Sequence, residues 1–228
     1  MTDDQQPAKS SNTALKVLGI GCLVLVALGI VGGILLFVFF ESIARSAGSK
    51  VLETTAQAGL QQMHVPTEVA ADVQDALKRE LTDRIRNEEL DVEQTIQVLA
   101  VVAEDPVAGA IAVEGFENRH IARSIPAEER GAAERTTDRF TRALLDDQVE
   151  QGVIEELLGI GVRQTGENQY ELKEDLTVEE VQRCLELMQQ AADQAAVPDQ
   201  SYDFDYDQLV GDALSEAVDS VKKPSQQP

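Results

Sequence analysis

Tryptophan is absent from this chain, and aromatic residues make up only 4% of its 228 positions. Alanine, leucine, valine and isoleucine must therefore do the packing, so any core is lean. Histidine is almost as scarce, with only His64 and His120. Neither has an identifiable Ser or Cys partner, and no G-x-S-x-G, H-E-x-x-H or phosphate-loop sequence occurs, so nucleophilic catalysis fails on inventory. Adjacent acids such as Glu155-Glu156 and Glu179-Glu180 point to different helix faces and do not share a substrate. The reading leans away from an enzyme, and no cofactor is implied.

Cysteine is limited to Cys22 and Cys184. Cys22 lies in an apolar run, so no disulfide can form within the remainder, and the redox compartment is left open. Cys184, in "VEEVQRCLELMQ", sits beside Leu185 and three residues from Val181, which reads as a packed thiol.

Positive charge is also short. Lys and Arg number 19 against 41 Asp and Glu, a formal net charge of −22. The first 40 residues are neutral, leaving 17 basic and 39 acidic residues in 41–228. Such a region repels nucleic acid and anionic headgroups, attracts cations or basic partners, and gains solubility.

What the chain has in abundance is one long apolar run. Val17 to Phe40 is 24 residues with no charge and no proline. As a helix it is about 36 Å long, enough to cross a hydrocarbon core of about 30 Å. Small residues at Ser42-Ile43-Ala44 would suit a signal peptidase, but a signal-peptide apolar region is usually about 7–15 residues, and this run is longer. A retained membrane anchor is the better reading. Lys9 and Lys16 before the run balance Arg45 and Lys50 after it, and the α-amino group tips the N-terminus toward the cytoplasm, with the acidic region outside. Gly29 and Gly33 form a GxxxG face through which two spans would pack as a homodimer.

The rest divides by helical periodicity. Residues 1–16 are a polar tail. Residues 41–65 read as a helical stalk with a thin stripe at Ile43, Ala47, Val51 and Ala58, ended by His64-Val65-Pro66. Residues 66–221 are the acidic helical domain, and 222–228 a frayed tail. Val69, Val73, Leu77, Leu81 and Ile85 mark one helix face; Asp91-Val-Glu-Gln94 starts another helix, and Asp105-Pro106 a third. Phe140 and Leu144 face inward from a charged helix after Pro126. Asp147-Gln-Val-Glu150 predicts a further start and Gly159 a stop. Val162–Thr165 and Gln169–Lys173 alternate around a Gly/Asn turn and predict a hairpin. Thr177-Val-Glu-Glu180 opens a helix to about Ala196, and a last stripe runs from Leu209 to Val221. The fold expected is mostly α: a transmembrane helix plus an irregular bundle of roughly six helices with one small hairpin.

Three constellations stand out. Glu117-Asn-Arg-His120 has the spacing of a carboxylate-bridged metal pair, but the second such motif is missing, so a surface Glu–His pair is the default. Asp203, Asp205 and Asp207 alternate as at the start of an EF-hand, yet Gln208 and Leu214 occupy the positions requiring Gly and Glu. A loose cation site would add Asp199. The same loop offers Tyr202, Phe204 and Tyr206 for insertion into a partner, or for packing on their own domain. Arginines gather between Phe116 and Arg142, six against five acids, with Arg135, Arg139 and Arg142 on one helical face. They would bind carboxylate or phosphate, or dock this helix against the acidic remainder, with Asp138 paired to Arg142.

The function expected is a single-pass membrane protein whose acidic helical domain is a non-enzymatic interaction or scaffold module, outside the cytoplasm. The second reading is a cation sensor using residues 199–207.

Overall fold

The structure is a computed structural model that describes residues 44–166, 169–173 and 175–222. The polar tail, the run 17–40 with Gly29 and Gly33, the turn residues 167–168 and residues 223–228 lie outside the described residues.

The described chain is mostly helical and forms a bundle. Its helices of eleven residues or more are α1 (Ala44–Gln62), α2 (Thr67–Leu77), α3 (Val92–Ala103), α4 (Pro106–Phe116), α5 (Ala127–Leu145), α6 (Gln151–Gly161), α7 (Val178–Gln194) and α8 (Tyr206–Lys222). Between α6 and α7, β1 (Val162–Gly166) pairs antiparallel with β2 (Gln169–Leu172), Val162 opposite Leu172.

Local chemistry sets several helix starts. Asp91 accepts the Gln94 backbone N–H at 2.8 Å, and the Gln94 side chain accepts the Asp91 N–H at 3.0 Å, closing a capping box on α3. Asp105 accepts the Val107 N–H at 2.9 Å, with Pro106 in the first turn of α4. Thr177 and Glu180 form the same reciprocal box on α7.

Two expected signals act otherwise. Asp147 starts no helix. It takes a left-handed conformation, φ 54°, after α5, where its N–H and that of Gln148 satisfy the Leu144 and Ala143 carbonyls, both at 2.9 Å. Gly159 does not stop α6, which runs on to Gly161; no described glycine has a positive φ, and a helical glycine ends nothing. Two helices also contain wider π turns that a spacing of four does not register. α2 continues through Lys78–Thr82 into Asp83–Arg86, and α4 through Glu117–Ile121 into Ala122–Ser124.

Packing gathers the helices into two groups joined by α4. In the first, α8 lies on α2 and α3 around Val73, Leu81, Val98, Leu214 and Val218. The segment expected as a stalk enters this core: Leu52, Ala56 and Leu60 are buried, while Ala58 is exposed. In the second, α5 lies between α4 and α7 around Val113, Phe140, Leu144, Met188 and Ala191. A smaller cluster of Ile121, Ile125, Ala133 and Val181 closes its end. The groups meet closely at Gly115, where a Cβ would stand 2.3 Å from the Met63 carbonyl oxygen, so only glycine fits without movement.

Among the described residues no single helix is long and apolar enough to cross a membrane. Glu93–Ala103 and Pro106–Ser124 together pass by length and composition, bent by 64°, but their apolar residues Val98, Val107, Ala110 and Ile111 are buried in the core.

Candidate functional site

The arginine face of α5 and the acidic aromatic loop come together. Arg139 is buried, its side chain 7% exposed, and reaches the end of α7. Its Nε and Nη2 donate to the Val197 carbonyl oxygen at 3.1 and 2.7 Å, and Nη2 also donates to Asp193 at 2.7 Å. Arg135 lies 3.9 Å from Asp199 at the start of the loop. Arg142 turns away and pairs with Asp146 at 2.9 Å, not with the expected Asp138. Asp138 instead accepts the Tyr202 backbone N–H at 3.2 Å. One helix thus holds the loop through Arg135, Asp138 and Arg139.

The carboxylates of the loop do not converge. Asp199 faces Arg135, Asp205 caps α8 by accepting the Gln208 N–H at 3.0 Å, and Asp207 accepts from Arg79 at 3.0 and 3.2 Å. Asp203 is exposed. Among the described residues no group of three His, Cys, Asp or Glu side chains is placed to hold a metal ion. The aromatics form a ladder, Tyr202 against Phe204 at 6.3 Å and Phe204 against Tyr206 at 6.2 Å. Tyr206 is buried and Phe204 packs on the first core, so this ladder lies largely on its own domain.

Beneath the ladder lies a group of acids that sequence reasoning passed over. The Tyr206 hydroxyl donates to Glu114 Oε1 at 2.8 Å, and the Thr137 hydroxyl donates to Glu117. Burial lifts the Glu117 carboxyl to about 7, against the Thr137 hydrogen bond and with Glu114, Asp138 and Glu134 adding to the rise. Burial also raises Glu114 and Asp138, and raises the Tyr206 phenol. The seam between α4, α5 and α8 is therefore lined by carboxyls that hold their protons more tightly than surface acids do. A signal was present in the sequence: Glu114 and Glu117 end the otherwise apolar stretch "VAGAIAVEGFE".

Glu117 and His120 do not form a site. Glu117 faces Thr137, whereas His120 is buried beside Phe116, ring centroids 5.5 Å apart, its basicity lowered first by burial and then by Arg119. Asn118 donates to the His64 carbonyl at 2.6 Å, tying this π turn to the end of α1. Cys184 is buried, and burial pushes its thiol up to about 11, so it is a poor nucleophile.

No protein-family model, no curated protein and no solved structure matches this chain.

Proposed function

We propose that the chain is a single-pass membrane protein, anchored through residues 17–40, whose acidic helical domain is a non-enzymatic interaction module for a basic protein partner outside the cytoplasm. The finer architecture belongs to this reading: a transmembrane helix, a GxxxG face at Gly29 and Gly33 for a second copy, and a small hairpin laid on the helices.

The distribution of charge carries it. Many of the scarce cations are taken up by ion pairs within the chain, among them Arg84–Glu80, Arg86–Asp83, Arg139–Asp193, Arg183–Glu156 and Lys173–Glu180. The acidic surplus faces outward, for example along α8, where Asp212, Glu216 and Asp219 are exposed. A surface of one sign favours and steers a partner of the other. The aromatic ladder and the arginines of α5 serve to close the domain on itself, which leaves the acidic faces as the surface for recognition.

Crosslinking in intact membranes at two ionic strengths tests this. The captured partner should present a basic surface, and capture should fall several-fold between low and about 0.5 M salt as exposed charges are screened. A captured partner of acidic surface, or capture indifferent to salt, would contradict it.

A further inference from the structure

The seam beneath the aromatic ladder joins four parts of the chain by polar contacts. Glu114 comes from α4, Glu117 from the π turn after it, Thr137 and Asp138 from α5, and Tyr206 from the start of α8. The loop enters through the Tyr202 N–H and the Ser201 side chain, both bonded to Asp138. The charges bearing on Glu117 are all carboxylates: Glu114, Asp138 and, from the exposed side of α5, Glu134. The titratable group from α8 is Tyr206, which is itself surrounded by Glu114, Glu117 and Asp138. The nearby cations look elsewhere. Arg135 and Arg139 face Asp199 and Asp193, while Arg119 and Arg123 act on His120.

We propose that this seam is a proton-operated latch: with Glu117 protonated it holds the 198–205 loop and the first turn of α8 against α5, and ionisation of Glu117 releases them. The physical reason is like charge in a half-buried space. A neutral Glu117 accepts the Thr137 hydroxyl without adding charge. An ionised Glu117 places a further negative charge beside Glu114 and Asp138, with no cation among the described residues facing it to offset that charge. The elements carrying these acids then separate and admit water. The loop yields first, because Asp199, Gln200, Ser201, Asp203 and Asp205 are already exposed. Release frees Tyr202 and Phe204, adding an aromatic face to the acidic surface.

The direction with pH follows from where the proton binds more tightly. Glu117 is raised from 4.5 to about 7 in the folded chain, and Glu114 and Asp138 shift the same way. Their contribution to stability is complete below the ordinary carboxylate value and is lost as pH rises toward about 7.

Hydrogen exchange of the full chain in detergent micelles, corrected for the intrinsic effect of pH, reads the latch locally. Amides of residues 198–210 should lose protection by about tenfold between pH 6 and pH 8.5, while α2 and α3 change less than about twofold. Glu117→Gln should remove this response, Glu134→Gln on the exposed side should keep it, and Thr137→Val should move its midpoint to higher pH. The proposal is overturned if Glu117→Gln or Thr137→Val responds as the unsubstituted chain does. It is equally overturned if loop protection is constant with pH, or if every helix loses protection by the same factor.

Discussion

Arg139 and Arg142 lie three positions apart on α5, and their surroundings give the same side chain two different weights. Arg139 is enclosed, and its guanidinium serves the Val197 carbonyl and Asp193. Arg142 lies about half exposed beside Asp146. Removing a buried cation strands the groups it satisfied, whereas an exposed ion pair contributes little. Arg139→Ala should therefore destabilise the domain by about 3 kcal/mol, and Arg142→Ala by less than about 0.5 kcal/mol. Urea unfolding followed by circular dichroism measures both, and equal midpoints for the two variants would contradict the placement of Arg139. That difference was not legible in a spacing of three and four, which put both residues on one face; which of them the neighbouring α7 covers is decided by tertiary packing. Glu117 makes the same point. Its motif with His120 drew attention as a metal pair, but its chemistry comes from Thr137, twenty residues away, and from burial whose one local sign was the apolar stretch that Glu117 ends.

At the scale of elements, the signals that are complete within a few residues were legible. The boxes at Asp91 and Thr177 close as their sequences require, because donor and acceptor are both local. Thr177→Ala should lower stability by about 1 kcal/mol, since the Glu180 N–H loses its partner at the start of α7. Thr177→Ser should lower it far less, and a thermal melt of the two variants distinguishes the cap from a general effect at this position. Signals with two uses were not legible. Asp147 is a good capping residue and also tolerates the left-handed conformation, and the Ala143 and Leu144 carbonyls ending α5 claimed it for the second use. Gly159 permits a stop without imposing one. The π turns at Lys78–Thr82 and Glu117–Ile121 each shift the face of a helix, and a periodic stripe drawn across them still looks continuous.

For the whole molecule, the two groups of helices share α4 and are tied again at the seam. α8 begins there at Tyr206, bonded to Glu114 of α4, and continues into the first group as a partner of α2 and α3. A change of charge at Glu117 thus acts where the groups meet. From Leu52 onward α1 is part of the first group, since Leu52 and Leu60 are buried in its core. On the proposed reading, a domain packed directly onto the helix that follows the span would be held close to the bilayer, and its acidic faces would be presented there to a basic partner. That account stands on the anchor at residues 17–40. Alkaline carbonate extraction of membranes from cells making the full chain tests it most directly. Retention of the chain in the membrane pellet, with a version beginning at residue 41 released, is the predicted result. Release of the full chain into the supernatant would contradict it.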